Sequence, residues 1–258
     1  MTMRLNDIFR LPEAALAGDK RIPKTMLVSQ AALTKHEQKT LDKVKRVEHF
    51  ATVQKSTTRI PSCVNDERDI QGIIFLRCEM AGDSEAYADV GKLLHKCFPN
   101  PTVIVFDGES HMCISASVTR KSLSEKGAVV VEDVQSTGRF AKEDRQYATF
   151  LDTLAFDELD QRDLLCYVKD ITWNIQLSRS VPMLGFYPTC NEHDRGQLAE
   201  LIDESNRLSK ELRDIQIAGR DKDITLNEKA KLRMRGKEIK RKNDEIAEKI
   251  KEICDGRD

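Results

Sequence analysis

Aromatic residues are scarce in this 258-residue chain, at 5% with a single tryptophan, and no apolar run approaches the roughly 20 residues that a membrane-spanning helix needs. The missing apolar run excludes a helical membrane span, so the expectation is a cytoplasmic protein with no membrane contact. No Cys-x-x-Cys occurs, and the seven cysteines are odd in number and fall mostly in apolar periodic segments. Reduced, partly buried thiols are therefore expected rather than a disulfide framework. Glycine-rich phosphate loops ending in Lys-Ser or Lys-Thr are absent, as are Gly-x-Gly-x-x-Gly, Gly-x-Ser-x-Gly and His-Glu-x-x-His. These gaps leave no motif for ATP hydrolysis, dinucleotide or methyl-donor binding of the common types, serine hydrolysis or zinc proteolysis. No cofactor is expected. Cys190 and His193 stand three apart, but a zinc site needs about four ligands and no second pair lies near. The formal net charge of −1 excludes a wholly polybasic protein, so any contact with nucleic acid has to come from local patches.

What the chain does have is charge, at 33% of residues, and enough apolar residues, at 40%, to build a core. The densest apolar patterning runs from Ile70 to Val134 and reads strand, helix, strand, strand, strand. Ile73-Ile74-Phe75-Leu76 is β-rich, and Val90, Leu93, Leu94 and Cys97 then recur at helical spacing. Pro99-Asn100-Pro101 ends that helix, since proline lacks an amide proton and restricts the residue before it. Thr102 to Phe106 and His111 to Val118 read as a hairpin across Asp107-Gly108. In the second strand Met112, Ile114, Ala116 and Val118 alternate with His111, Cys113, Ser115 and Ser117, which predicts one buried and one polar face. Val129-Val130-Val131 supplies a fourth strand.

Upstream, Lys20, Arg21 and Lys24 flank Ile22-Pro23 as a basic patch, and Thr34-Lys35-His36-Glu37 matches a capping box. Leu41, Val44, Val47 and Phe50 continue as a helical stripe, with Lys39, Lys43, Lys45 and Arg46 forming a solvated face or a partner patch. Residues 51–69 read as a connector. Asp157, Glu158, Asp160 and Asp163 precede a helix through Leu164, Val168, Ile171 and Ile175, where carboxylates suit the positive end of the helix dipole.

The tail is the clearest element. Leu198, Leu201, Leu208, Leu212 and Ile215 fall at heptad spacing, and a second capping box at Thr225 and Glu228 opens a returning helix with Leu232, Ile239, Ile246, Ile250 and Ile253. The pattern predicts an antiparallel coiled-coil hairpin over 195–254, with Leu201, Leu208, Leu212, Ile239, Ile246 and Ile250 as partner-interface residues. Its second arm concentrates Lys231, Arg233, Arg235, Lys237, Lys240, Arg241 and Lys242, opposed locally by Glu238. Those residues, with Arg21 and Lys24, are the candidate phosphate contacts.

The order of segments resembles the bacterial domain-of-unknown-function family DUF4391. The features that carry the resemblance are Lys20-Arg21-Ile22-Pro23-Lys24, the helix after it, the Ile73-to-Glu79 strand and the helix ending before Pro99. They continue through the Thr102-to-Val118 hairpin, the Asp163-to-Ile175 helix and the charged terminal hairpin with Leu226-Asn227. The resemblance implies genes beside helicases and DNA methyltransferases in restriction-like and phage-defence islands. It transfers no catalytic residue.

The expected fold is α+β. It has an N-terminal helical segment, a four-stranded mostly antiparallel sheet with a packed helix (body 1–180, sheet unit about 70–134) and the C-terminal hairpin. The expected function is that of a non-enzymatic accessory or adaptor subunit that docks onto a helicase or methyltransferase and assists DNA engagement. Two alternatives stand beside it: a metal-dependent nuclease with a degenerate site near Glu79 and Asp133, and a structural coiled-coil homodimer.

Overall fold

A strand covered on both faces carries apolar or internally bonded residues at every position, and the middle strands of this chain do so. The computed structural model describes residues 5–82, 86–125, 127–220 and 224–255. Its helices are α1 (Leu5–Phe9), α2 (Lys24–Gln30), α3 (Lys35–Leu41), α4 (Lys55–Thr58), α5 (Tyr87–Lys96), α6 (Ala148–Asp152), α7 (Leu164–Ser178), α8 (Val181–Leu184), α9 (Arg195–Ala218) and α10 (Leu226–Asp255). Its strands are β1 (Leu16–Arg21), β2 (Val44–Gln54), β3 (Cys63–Val64), β4 (Asp69–Ile70), β5 (Gly72–Met80), β6 (Thr102–Asp107), β7 (His111–Lys121), β8 (Val129–Ser136) and β9 (Phe140–Ala141). The chain divides into two compact units, Met1–Gln176 and Leu177–Asp258.

The first unit is α+β. Its main sheet has seven strands in the order β1-β2-β5-β6-β7-β8, with β9 also paired to β7. Every pairing is antiparallel except β5 with β6, which is parallel. That pair is joined through α5, because parallel neighbours need a long crossover and a helix supplies it. The expected four strands are therefore corrected to seven.

The missed strands lie upstream, and the reason is local. Val44, Val47 and Phe50 sit in β2, not on a helix, and β2 carries register irregularities between Val44 and Arg46 and between His49 and Ala51. Each irregularity shifts the side-chain alternation by one, so buried positions fall at spacings of three and imitate a helical stripe. β1 is exposed along most of its length and kinks at Gly18 and Asp19, which adopt positive φ of 70° and 49°. It offers no alternation to read. Only α3, opened by the Thr34–Glu37 capping box, is helical in that stretch. The expected connector over 51–69 likewise holds the end of β2, α4 and the small β3–β4 pair.

One sheet face packs Leu76 and Cys78 of β5, Ile104 and Phe106 of β6 and Cys113 of β7 against Leu27 of α2, Leu41 of α3 and Val90, Leu93 and Leu94 of α5. On the other face Phe75 meets Phe9 of α1 edge-on, ring centroids 5.1 Å apart. The expected polar face of β7 is a further correction. Cys113, Ser115 and Ser117 are buried, because α5 lies over them.

The second unit is helical, and α9 and α10 run antiparallel within it: Ser209 faces Asn243 across a 3.5 Å hydrogen bond, and Glu211 pairs with Arg235 at 2.7 Å. The capping box at Thr225 and Glu228 opens α10. Leu198, Ile202 and Leu208 of α9 and Ile239, Ile246 and Ile250 of α10 are buried. Of the interface residues expected from the heptads, Leu208, Ile239, Ile246 and Ile250 are thus packed inside the chain, and Leu201 and Leu212 are half-buried. An aspartate at Ile250, fully buried, is therefore expected to melt the hairpin before it severs any partner. The loss should be at least about 3 kcal/mol, from the vacated volume and the stranded carboxylate, and would be read as reduced helical circular dichroism in the full chain. Retained helicity would place Ile250 outside the packed seam.

Gly236 marks the close approach of the two arms. A Cβ there would stand 3.6 Å from Leu212 Cδ1, an ordinary van der Waals distance rather than a clash. Gly236→Ala is accordingly expected to stabilise the hairpin by about 0.5–1 kcal/mol through helix propensity, visible as a raised urea midpoint.

Candidate nucleic-acid interface

Lysine and arginine on a helix face can be solvated, paired or left to meet an anion, and distances separate these cases. Of the seven candidate cations on α10, three are paired. Arg235 bridges Glu211 at 2.7 Å and Glu238 at 3.1 Å, Arg241 holds Glu245 at 2.8 Å, and Lys242 reaches Glu238 at 3.4 Å. Arg235 is pushed above the ordinary guanidinium range by its hydrogen bonds to Glu211 and Glu238, and Glu238 is held low by Arg235 and Lys242. Lys231, Arg233, Lys237 and Lys240 are exposed and form no ion pair among the described residues.

Three of those four share a groove with two cations that were not among the sequence candidates. A groove of about 490 Å³ between the arms has Leu212, Ile215 and Leu232 as its apolar wall and Gly236 at its floor. Arg220, Lys229, Arg233, Lys237 and Lys240 stand around it, and among the described residues no carboxylate lines it. Lys229, Arg233, Lys237 and Lys240 follow one another at spacings of four, four and three, so they form one stripe down a single helix face. Like charges at such spacings repel within an isolated helix, which leaves the stripe in want of an anion. That spacing was the available signal for Lys229. Arg220, in the turn after α9, had none. The stripe covers about 16 Å of helix axis, close to half a turn of duplex DNA. Three large apolar side chains near the same end, Ile217, Leu226 and Met234, are exposed by 67%, 88% and 74%.

The other two candidate phosphate contacts lie in the first unit. Arg21 is exposed at the end of β1, and Lys24, half-buried, begins α2. Arg21, with Lys20, borders a depression of about 200 Å³ floored by Ile22, Met26, Ile74 and Phe98.

The carboxylates of the nuclease alternative are not brought together. Glu79 on β5 pairs with Lys45 at 2.6 Å, while Asp133 on β8 accepts from Gln135 at 2.9 Å. The two strands are separated by β6 and β7, roughly 14 Å at about 4.8 Å per strand, whereas two ligands of one Mg²⁺ each stand about 2 Å from it. A different acidic pair, Glu48 on β2 and Asp107 on β6, lies on either side of Arg77 of β5. Arg77 donates to Asp107 from Nε at 2.9 Å and stands 3.9 Å from Glu48, Lys142 caps Asp107, and Arg46 closes on Glu48. The guanidinium occupies the place a cation would take, so this is an internal ion-pair network. No group of three or more metal-ligating side chains occurs among the described residues.

The family model for a domain of unknown function, DUF4391, matches residues 9–243. The chain belongs to the DUF4391 family. No curated protein and no solved structure matches it.

In this DUF4391 chain the polar residues of β7 enter a closed network that no sequence pattern assembles. His95 of α5, fully buried, stands with Nδ1 2.7 Å from Thr102 Oγ1 and Nε2 2.9 Å from Ser115 Oγ. Ser115 gives its own proton to the Gln135 carbonyl at 2.9 Å, so it must accept from His95 Nε2–H. Nδ1 then accepts from Thr102, whose oxygen is 3.1 Å from Ser117 Oγ. Neutral imidazole satisfies both partners, and burial pushes the ring's pKa down to about 3. A serine beside a histidine invites a catalytic reading, but neither group is accessible to a substrate. The network holds α5 to the sheet. Burial also pushes the Cys78 thiol up to about 12 and Cys97 up to about 11, which makes both unreactive.

Among the described residues no helix is long and apolar enough to cross a membrane.

Proposed function

We propose that this protein is a non-enzymatic accessory subunit of a bacterial DNA-targeting complex of the restriction or phage-defence kind, working in the cytoplasm. In this reading its tail is a coiled-coil hairpin that presents a cation stripe to the phosphate backbone. A helicase or methyltransferase, the neighbour the family resemblance implies, supplies the chemistry and the sequence selectivity. The observation that carries the reading is the groove between the arms, where five cations gather around an apolar wall with no carboxylate among the described residues. Phosphate contacts position a complex without reading bases, which suits an accessory role. The separation of Glu79 from Asp133 and the saturation of Glu48 and Asp107 by Arg77, Arg46 and Lys142 give the nuclease alternative no support.

The test is co-purification of the tagged full chain with the products of its neighbouring genes, followed by duplex binding with and without the chain. The reading expects a stable complex that binds DNA more weakly when the chain is omitted, and no cleavage by the chain alone in Mg²⁺ or Mn²⁺. Cleavage lost on changing Glu79 or Asp133 to alanine would replace it with the nuclease.

A further inference from the structure

The outermost strand of the sheet has an open edge. Among the described residues β8 hydrogen-bonds to β7 alone, and its register fixes which backbone groups face outward. Arg120 pairs with Val130, and Lys121 with Val129. Ser122 N donates to Ala128 O, while Lys121 N turns away from β8 to the Glu67 carbonyl. In an antiparallel ladder bonded and non-bonded pairs alternate, so Val130 bonds to β7 and the N–H and C=O of Val129 and Val131 point outward. Past the irregularity at Val118 and Thr119, Thr137 N donates to Ile114 O, and the same alternation turns Val134 outward. Among the described residues no backbone hydrogen bond reaches Val129, Val131 or Val134 from that side.

Sheet edges are ordinarily blunted by charge, brevity or kinks. β1, at the far end, has all three: it is six residues long, carries Asp19, Lys20 and Arg21, and bends at Gly18. β8 is eight residues long. Its charges, Glu132 and Asp133, sit at and just past the register irregularity, with Glu132 held by Arg68 at 2.5 Å, while the stretch before them exposes Val129 and Val130 by 41% and 37%. Beside it runs a groove of about 830 Å³ walled by Val129, Val130, Val131 and Val134 on one side and by Cys97, Phe98 and Pro99 on the other. Lys92 and Lys96 rise from α5 over this groove, and among the described residues no carboxylate lines it. Phe98 also borders the smaller depression of Lys20 and Arg21. Lys92, Lys20 and Arg21 make no ion pair among the described residues, while Lys96 is shared with Glu37 at 2.7 Å.

We infer that this groove binds an extended, acidic and apolar segment of a partner protein, which adds as a strand to the open edge of β8. The backbone groups of Val129 and Val131 supply main-chain hydrogen bonds, the valine wall takes alternate apolar side chains, and the lysines take the carboxylates between them. A nucleic-acid strand suits the groove less well, because its walls are aliphatic and Phe98 is its one aromatic, whereas single strands are held by stacking on several rings. The inference names where the protein partner of the proposed function docks and rests on that reading for the partner's existence.

The test uses the full chain and a fluorescent octapeptide of alternating glutamate and valine, with the lysine–valine octapeptide and an oligothymidylate as comparisons. Saturable binding of the glutamate peptide is expected, at least tenfold tighter than the lysine peptide, with slowed amide exchange at Val129 and Val131. Val131→Pro removes an outward N–H and leaves the ladder to β7 intact, so it should abolish binding while thermal unfolding stays near wild type. Lys92→Glu should weaken binding at least tenfold and serves should the proline variant misfold. No saturable binding at millimolar peptide, or binding indifferent to both variants, overturns the inference, as does a preference for oligothymidylate. If the neighbouring gene product co-purifies equally with wild type and Val131→Pro, the docking site is wrong and the accessory reading survives. If nothing co-purifies with either, the accessory reading itself fails.

Discussion

His95→Ala is expected to destabilise the first unit by about 2–4 kcal/mol. The substitution leaves Thr102 and Ser115 each short of a partner in a site with no exposure to water, and it empties an imidazole-sized volume between α5 and β7. Urea unfolding followed by the fluorescence of Trp173, the single tryptophan and a residue of the first unit, would report the shift. A change below about 1 kcal/mol would mean that the network contributes little. The same histidine predicts a pH profile. Its folded pKa is pushed down to about 3 from 6.5 by burial, so its stabilising contribution is complete above pH 6.5. That contribution is lost progressively as the pH falls toward 3, at about 1.4 kcal/mol per pH unit from this group. His49, lowered by burial in the same direction, adds to the trend. His95→Asn should flatten most of the acid limb, and an unchanged limb would assign the sensitivity elsewhere.

The second large effect concerns the tail. Replacing Lys229, Arg233, Lys237 and Lys240 together by glutamine should lower the magnitude of the salt slope of DNA binding by up to about 3.6, at roughly 0.9 for each phosphate no longer neutralised. Affinity near 0.15 M salt should drop by about two to three orders of magnitude. The structure guides the choice. Arg235 and Arg241, equally basic in sequence, are engaged by Glu211, Glu238 and Glu245, so their removal would disturb the hairpin instead of isolating the phosphate interaction. The quadruple variant should keep its helical signal and its assembly. Unchanged affinity and slope would make the stripe a solvated helix face.

Much of this fold was legible where the chain obeys one period at a time. The helix before Pro99, the α7 stripe and both capping boxes stand where spacing and chemistry place them, and the residues alternating along β7 do form a strand. Legibility ended where local irregularities shift the period, as in β2, and where an exposed, kinked strand such as β1 has no period at all. The serines of β7 were misassigned for a different reason. A polar side chain can be buried when a single residue from another element satisfies it, and nothing in the sequence of β7 announces His95. The tail divides in the same way. Its excess of cations was legible, but the division between paired and open cations depends on where Glu211, Glu238 and Glu245 come to lie.

The most direct measurement is ultraviolet cross-linking of a duplex to the chain in its purified complex, with the adducts mapped by mass spectrometry. Adducts should concentrate between residues 220 and 242 and vanish from that stretch at 1 M salt. Adducts confined to the first unit, or none on this chain while the complex remains bound to DNA, would contradict the role assigned to the hairpin.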